Sequence, residues 1–123
     1  MDPKLPILVV DDSQTVRTII SEQLKTLGYS DIDLADNGET ALATARQKRY
    51  GLVLSDWEMQ PMSGEEFLKG LRLDSKNRKV PVILITGTTS RGTSFLAGAD
   101  AYLAKPFKPK DLEAAIKGVF ITK

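Results

Sequence analysis

Four short, mainly apolar runs in this chain each end in polar residues, which are aspartates in two of the runs, a threonine in the third and a lysine in the fourth. An apolar run without polar alternation is typical of a strand that is covered on both faces, so each run predicts a buried β-strand. A further short run at residues 32–35 predicts another strand. The four runs and their final polar residues are 5–10 with Asp11 and Asp12, 52–55 with Asp56, 82–85 with Thr86, and 101–104 with Lys105.

The segments between these runs carry apolar residues at helical spacing. Strands that alternate with helices predict one α/β domain over residues 1–123, a doubly wound five-stranded parallel sheet with helices on both faces. Functional residues in such a sheet gather outside the carboxyl ends of the strands. The first predicted helix runs from Val16 to Gly28, and the second begins at Asn37-Gly38. A third helix is predicted after the loop 60–64, and the last begins at Lys108-Pro109. The connection 74–79 is predicted to be solvated, and Val80-Pro81 is predicted to start the fourth strand.

Composition narrows the classes of function. The 17 basic and 16 acidic residues are interspersed and leave a net charge of +1, which argues against a nucleic-acid or membrane partner and favours protein partners. The absence of Cys excludes disulfides and thiolate chemistry, and the absence of His excludes Ser-His-Asp catalysis. No run approaches membrane-spanning length. We therefore expect a soluble cytoplasmic protein. Our expectation for the oligomeric state, a monomer or a weak dimer, does not follow from the composition.

Three aspartates fall at neighbouring strand ends. Asp11 and Asp12 follow the first strand, and the sheet places Asp56 beside them. Carboxylates so close repel one another unless a cation neutralises them, and Mg²⁺ prefers carboxylate oxygens, water and phosphate. The alternative is that Asp11 and Asp12 cap the helix that follows. Asp56 has no helix to cap before the loop up to Gly64, so it is the better candidate for a reactive group.

A carboxylate such as Asp56 can attack a phosphoryl group and form an aspartyl phosphate, with cations on the phosphoryl oxygens. Lys105 would supply one such cation, and Thr86 could donate a hydrogen bond to a phosphoryl oxygen. Each residue also has an ordinary interpretation: a strand-end Lys is usually solvated, and a β-branched Thr is common in strands. Their joint position at strand ends favours the functional interpretation.

With these residues in place, the chain resembles the receiver domain of bacterial response regulators, the CheY-like family, over essentially its whole length. The resemblance implies a single-domain response regulator of a two-component phosphorelay. The matching motifs are Val9-Val10-Asp11-Asp12-Ser13, Asp56-Trp57-Glu58-Met59 with Met62-Ser63-Gly64, Thr86, and the run from Gly98-Ala99-Asp100 through Ala104-Lys105-Pro106-Phe107.

The resemblance assigns roles position by position. Asp56 would be the phosphoacceptor, and Lys105 would contact the phosphoryl group. The metal ligands for Mg²⁺ would be Asp11, Asp12, Asp56 and the main-chain carbonyl of Glu58, while Thr86 and Tyr102 would form the switch pair. The Glu58 side chain either tunes the metal site or points to solvent.

Three departures from the family pattern bear on output. Gln60 holds a place where the family usually has Pro, with Pro61 after it, and Gly87 stands where Ala is common. The segment from Thr86 to Lys105 is shorter than usual, and residues 88–94 are poor helix formers. The fourth helix, between the fourth and fifth strands, is therefore predicted to be short, frayed or displaced.

The leading hypothesis is a switch without enzymatic activity beyond its own phosphorylation and dephosphorylation. A histidine kinase or a phosphotransfer protein would donate the phosphoryl group to Asp56, and a downstream protein target would read the resulting conformational shift. One alternative is a phosphate-independent interaction module of the same fold. A less favoured alternative is a Mg-dependent aspartyl phosphohydrolase, which would need a second acid and a cap over the substrate.

Overall fold

The computed structural model describes residues 3–59, 62–87, 99–105 and 107–121. It contains one sheet of five parallel strands in the order β2-β1-β3-β4-β5. This confirms the predicted fold class. The strands are β1 (Ile7–Val10), β2 (Ile32–Ala35), β3 (Leu52–Asp56), β4 (Val82–Thr86) and β5 (Ala101–Ala104). The described helices are α1 (Gln14–Thr26), α2 (Gly38–Arg46), α3 (Gly64–Leu73) and α4 (Pro109–Ile121).

Helices cover both faces of the sheet, as the unbroken apolar strands predict. On one face, α2 and α3 pack against β1, β3 and β4 through residues such as Leu42, Phe67 and Leu68. On the other face, α1 and α4 pack through residues such as Leu24 and Ile116. The central strands are fully buried along their length, so the sheet is a rigid base for the residues at its ends.

The starts of two strands differ from the prediction. The first strand begins at Ile7 rather than at residue 5, because Pro6 has no N–H and its carbonyl instead accepts from the main-chain N–H groups of Gly51 and Leu52. The fourth strand begins at Val82, and Pro81 stands before it for the same reason. The helix predicted between the fourth and fifth strands, which is not α4, lies outside the described residues, and so does the Gln60-Pro61 departure.

The predicted solvated connection at 74–79 is wrong at Asn77, which is only 1% exposed. Its Oδ1 accepts from the Tyr50 N–H at 2.8 Å, and its Nδ2 donates to the carbonyls of Ala45 at 2.7 Å and Lys48 at 3.1 Å. The Asp74 carboxylate accepts from the Asn77 side chain at 2.8 Å. One buried side chain thereby fastens the α3–β4 loop to the C-terminal end of α2.

The register places the predicted site residues at one edge. Val10 pairs with Ser55, so Asp11 follows β1 beside Asp56 at the end of β3. Thr86 pairs with Ala104, so Lys105 follows β5 beside the end of β4. Within the described residues, no helix has the length and apolarity that crossing a bilayer requires.

Candidate functional site

The turn after β1 is organised by Ser13, which is the N-cap of α1. Its hydroxyl accepts from the Val16 N–H at 3.3 Å, so the capping alternative for Asp11 and Asp12 is wrong: the cap is the next residue. Asp11 Oδ1 instead accepts from the Ser13 N–H at 2.9 Å. Asp11 is fully buried and Asp12 is exposed, which leaves the second carboxylate open to solvent at the mouth of the site.

Arg17 is a residue of the site that the sequence reasoning missed. Its Nη1 donates to the main-chain carbonyl of Asp11 at 2.6 Å and so holds the turn against α1. A positive charge near a helix N-terminus interacts unfavourably with the helix dipole. The position of Arg17 in the sequence was therefore a signal that its side chain makes a specific contact.

The three predicted carboxylates meet in space. One oxygen from each of Asp11, Asp12 and Asp56 lies within 4.8 Å of the others. Asp56 is the last residue of β3 and is 6% exposed. Burial, and then the charge of Asp11, raise the pKa of Asp56 to about 6, while Lys105 and the Glu58 main-chain N–H act in the opposite direction. The carboxyl group is therefore costly to ionise without a further cation.

Lys105 contacts two of the carboxylates. Its Nζ lies 3.3 Å from Asp11 Oδ2 and 3.4 Å from Asp56 Oδ1. Burial alone would lower the pKa of Lys105, but the charges of Asp56 and Asp11 outweigh it and raise that pKa. The main-chain N–H of Lys105 donates to the Thr86 carbonyl at 2.9 Å, which extends the β4–β5 pairing by one residue and fixes where the side chain starts.

Two buried oxygens at this edge have no aligned hydrogen-bond donor or acceptor among the described residues. They are Asp11 Oδ2, whose contact with Lys105 is one of charge, and Thr86 Oγ1. An unsatisfied buried oxygen is uncommon because it costs desolvation energy, and such groups often mark a place where an ion or ligand binds. The hard anionic oxygen of Asp11 suits a divalent cation, and the Thr86 hydroxyl suits a phosphoryl oxygen.

Thr86 and Tyr102 lie on the same face of the sheet. Tyr102 pairs with Leu84 and Ala104 pairs with Thr86, so the two side chains are diagonal neighbours on adjacent strands. Thr86 is fully buried, whereas Tyr102 is half-buried against the core that α2 and α3 cover. The pair of residues that the resemblance names as the switch therefore shares one face of the sheet.

Gly64 holds the loop after β3 close to the site. A Cβ atom at this position would lie 2.3 Å from the Asp56 carbonyl oxygen and 2.8 Å from the Trp57 Cα, so only glycine fits. The Gly64 N–H donates to the Trp57 carbonyl at 2.9 Å. Ser63 and Glu66 form a capping box at the start of α3, which fixes this approach. Glu58 lies in the same loop and is exposed.

The sequence has relatives across its length. A model of the response regulator receiver domain matches residues 7–117. Chemotaxis protein CheY-3 of Vibrio cholerae is 32% identical over 123 residues, which cover 98% of this chain and 95% of that protein. Chemotaxis protein CheY of Pseudomonas aeruginosa is 33% identical over 119 residues, which cover 94% of this chain and 96% of that protein.

Solved structures share the fold. Chemotaxis response regulator CheY4 of Vibrio cholerae superposes with a TM-score of 0.86 at 34% identity, covering 94% of this chain and 98% of that one. The receiver domain of a sensor histidine kinase from Pseudomonas aeruginosa superposes with a TM-score of 0.85 at 30% identity, covering 95% and 98%. The latter structure has a magnesium ion coordinated in its active-site cleft.

Proposed function

The chain belongs to the response regulator receiver family of two-component signalling, and on that premise we propose that it is a switch controlled by phosphorylation of Asp56. The observation that carries the proposal is the contact of one ammonium group, Lys105 Nζ, with the carboxylates of both Asp11 and Asp56. An ammonium group shared by two buried carboxylates stands where the charge of a phosphoryl group would develop.

The proposed reaction is attack by an Asp56 carboxylate oxygen on the phosphorus of a phosphohistidine or of a small acyl phosphate. A P–O bond to Asp56 forms as the bond to the leaving group breaks, and the leaving group carries away the electron pair. Lys105 then pairs with the charge of the phosphoryl oxygens. The hydroxyl of Thr86, which has no partner among the described residues, donates to one of those oxygens.

The proposed metal is Mg²⁺, held by Asp11, Asp12, Asp56 and the main-chain carbonyl of Glu58. The donor set fits, because one carboxylate oxygen of each of the three aspartates lies within 4.8 Å of the others, and Asp11 Oδ2 is buried without an aligned hydrogen bond. When bound, Mg²⁺ supplies positive charge that offsets the carboxylates and the phosphoryl oxygens. Asp12 is exposed and would reach the ion from the solvent side.

The proposed output is a shift in the population of conformations. The new dianion draws the Thr86 hydroxyl and the Lys105 ammonium toward it, and the Tyr102 ring follows into the space beside Thr86. A downstream protein target distinguishes the two states by differential binding. A histidine kinase or a phosphotransfer protein acts as donor, and the protein works in the cytoplasm as a monomer or weak dimer.

Intact mass spectrometry tests the proposal directly. The protein is incubated with Mg²⁺ and acetyl phosphate, beside Asp56→Asn and the control Asp36→Asn, which alters an exposed carboxylate on the loop before α2. We expect one phosphoryl adduct on the wild type and on Asp36→Asn, and none on Asp56→Asn or after EDTA.

Failure to form an adduct would contradict the proposal. If beryllofluoride with Mg²⁺ also left the fluorescence of Trp57 unchanged, the phosphate-independent interaction module would be the better description. Trp57 is a suitable reporter because it is half-buried and follows Asp56 directly.

A further inference from the structure

A concave basic surface lies at the end of the sheet opposite Asp56. We call it the basic bowl: a cavity of about 350 Å³ lined by residues 49–50, 75–76 and 78–81. Its basic residues are Arg49, Lys76, Arg78 and Lys79, and the lining includes no acidic residue. We propose that the basic bowl is a docking site for an acidic polypeptide segment of a partner protein.

The charges in the basic bowl are uncompensated. All four basic residues are exposed, and none lies within ion-pairing distance of a carboxylate in the described part of the chain. The neighbouring Lys48 behaves differently, since its Nζ contacts Asp31 at 2.9 Å and Asp33 at 3.0 Å. Asp31 and Asp33 thus pair with a lysine outside the bowl and do not neutralise the cations of its lining.

The C-terminal end of α2 accounts for the position of only one of these four basic residues, Lys76. Its carbonyls attract cations, and Lys76 Nζ donates to the Arg46 carbonyl at 2.9 Å. The side chains of Arg49, Arg78 and Lys79 make no hydrogen bond to any described group. Like charges gathered in one concavity repel one another and focus their field outward, where an anion would find it.

The walls of the basic bowl are fixed before any partner binds. Asn77 is buried between them, and its side chain bonds to the Tyr50 N–H on one wall and to the carbonyls of Ala45 and Lys48 behind it. The backbone that carries Arg49 and the backbone that carries Arg78 are therefore held at a set spacing. A preformed site loses less entropy when it binds.

The shape and lining favour an acidic polypeptide over other anionic partners. Tyr50, the aromatic residue of the lining, is 5% exposed and offers no platform for stacking a base. The basic side chains of a concave surface cannot all contact a flat bilayer at the same time. Val80 and Pro81 add an apolar floor, and Leu73, two residues before Ser75, is 87% exposed, which suits side chains that alternate between carboxylates and apolar groups.

The basic bowl is separate from the candidate phosphorylation site. It lies before the first residues of β3 and β4, whereas Asp56 and Thr86 are the last residues of those strands. Strands of this length separate the two by about 15 Å. A partner could dock here in either state of Asp56, so this surface is additional to the switch.

Titration of the ¹⁵N-labelled protein with a hexaglutamate peptide tests the proposal. We expect changes in amide chemical shift to be confined to residues 49–50 and 75–81. The affinity should fall as the NaCl concentration rises from about 0.01 M to about 0.1 M, because the electrostatic screening length drops from about 30 to about 10 Å. Hexaglutamine should cause no shifts. Absence of shifts with hexaglutamate, or shifts spread over the whole surface, would overturn the proposal.

Paired charge reversals make the test specific. Arg49→Glu with Arg78→Glu should weaken hexaglutamate binding by about tenfold or more, since two attractions become repulsions. Lys69→Glu with Lys110→Glu reverses two exposed charges elsewhere and should leave binding near the wild-type value. An equal loss in both variants would show a net-charge effect and overturn the proposal.

Two further probes separate the sources of negative charge. If inorganic tripolyphosphate bound in the bowl and hexaglutamate did not, the site would be one for small anions. If vesicles with anionic lipid headgroups bound the protein and hexaglutamate did not, the partner would be a membrane, and either result would overturn the proposal. Arg49→Glu with Arg78→Glu should still be phosphorylated on Asp56, so this test succeeds or fails independently of the switch.

Discussion

Lys105 Nζ lies 3.4 Å from Asp56 Oδ1 although the two residues come from strands that are not neighbours in the sheet. The long side chain of Lys105 crosses the end of β4 to reach the acidic cluster. Only a fixed starting point makes such a reach specific, and the hydrogen bond from the Lys105 N–H to the Thr86 carbonyl provides it. The position of the ammonium group thus depends on the β4–β5 pairing.

Replacement of Lys105 should slow phosphorylation. In Lys105→Met two buried carboxylates lose their shared cation, and the pKa of Asp56 should rise above its value of about 6. We expect labelling by acetyl phosphate at neutral pH to fall by about tenfold or more. Mass spectrometry over time measures the rate, and ¹³C NMR of the Asp56 carboxyl measures the pKa.

The matched control is Lys69→Met, which removes an exposed ammonium group from α3. It should label at the wild-type rate. Lys105→Arg retains a cation, and its labelling rate should lie between those of the wild type and Lys105→Met. A Lys105→Met variant that labels as fast as wild type would show that the ammonium group takes no part in the transfer.

The raised pKa of Asp56 predicts a pH dependence of stability in the metal-free protein. The folded carboxyl has a pKa of about 6 against 3.8 for the ordinary group, so the folded state binds the proton more tightly than the unfolded state. This stabilisation is present at low pH and is lost as the pH rises through about 6. Asp56→Asn lacks the titrating carboxyl and should be the more stable protein at neutral pH.

We expect the advantage of Asp56→Asn to shrink by up to about 3 kcal/mol as the pH falls from about 7.5 to about 4. Urea unfolding of both proteins in EDTA at several pH values measures the difference. The comparison cancels the titration of groups that the two proteins share. A difference that stayed constant with pH would show that Asp56 titrates alike in the folded and unfolded states.

The buried hydroxyl of Thr86 should cost stability in the resting protein. Its Oγ1 has no hydrogen-bond partner among the residues the structure describes, so Thr86→Val should raise the free energy of unfolding by about 1 kcal/mol. The same variant should respond less to beryllofluoride, because the hydroxyl that would reach the phosphoryl oxygen is gone. Urea unfolding with and without beryllofluoride measures both effects.

Thr40→Val is the control, since Thr40 is an exposed β-branched residue of α2. Its stability should change by no more than about 0.5 kcal/mol, and its response to beryllofluoride should be normal. If Thr86→Val were the less stable protein at rest, the hydroxyl would have a stabilising partner.

Gly64 should tolerate no side chain. In Gly64→Ala the new methyl group would press on the Asp56 carbonyl and the Trp57 Cα, both of which are main-chain atoms and cannot rotate away. We expect a loss of about 3 kcal/mol and slower phosphorylation, because relief of the clash displaces Asp56. Gly118→Ala in α4 is the opposite case: no described atom lies within 4 Å of the added Cβ, and stability should rise by about 0.5–1 kcal/mol. Similar stabilities for the two alanine variants would contradict this account.

Much of the fold could be predicted because the three central strands, β1, β3 and β4, are buried on both faces and so lack polar alternation. The site residues could be selected because polar side chains after such strands, notably Asp56 and Lys105, must meet at one edge. The residues at which the strands begin were harder to predict. Pro6 has no N–H to donate, and its carbonyl accepts from the N–H groups of Gly51 and Leu52, a pairing that is visible only in the structure. Asn77 was missed because most of its partners are main-chain groups, which carry no signal in the sequence. Arg17 does have a signal, its unfavourable place near a helix N-terminus, but the sequence does not show that the Asp11 carbonyl is its partner.

Two local clusters of unlike charge lie at the two ends of β3 and β4. Carboxylates cluster beyond Asp56, and uncompensated cations surround Arg49 at the other end. An acidic polypeptide segment of a partner would be attracted by the basic bowl and repelled by the acidic cleft, so the bowl would face the segment as the two proteins approach. Orientation during diffusion would then keep the cleft open to a phosphoryl donor while the opposite end is occupied.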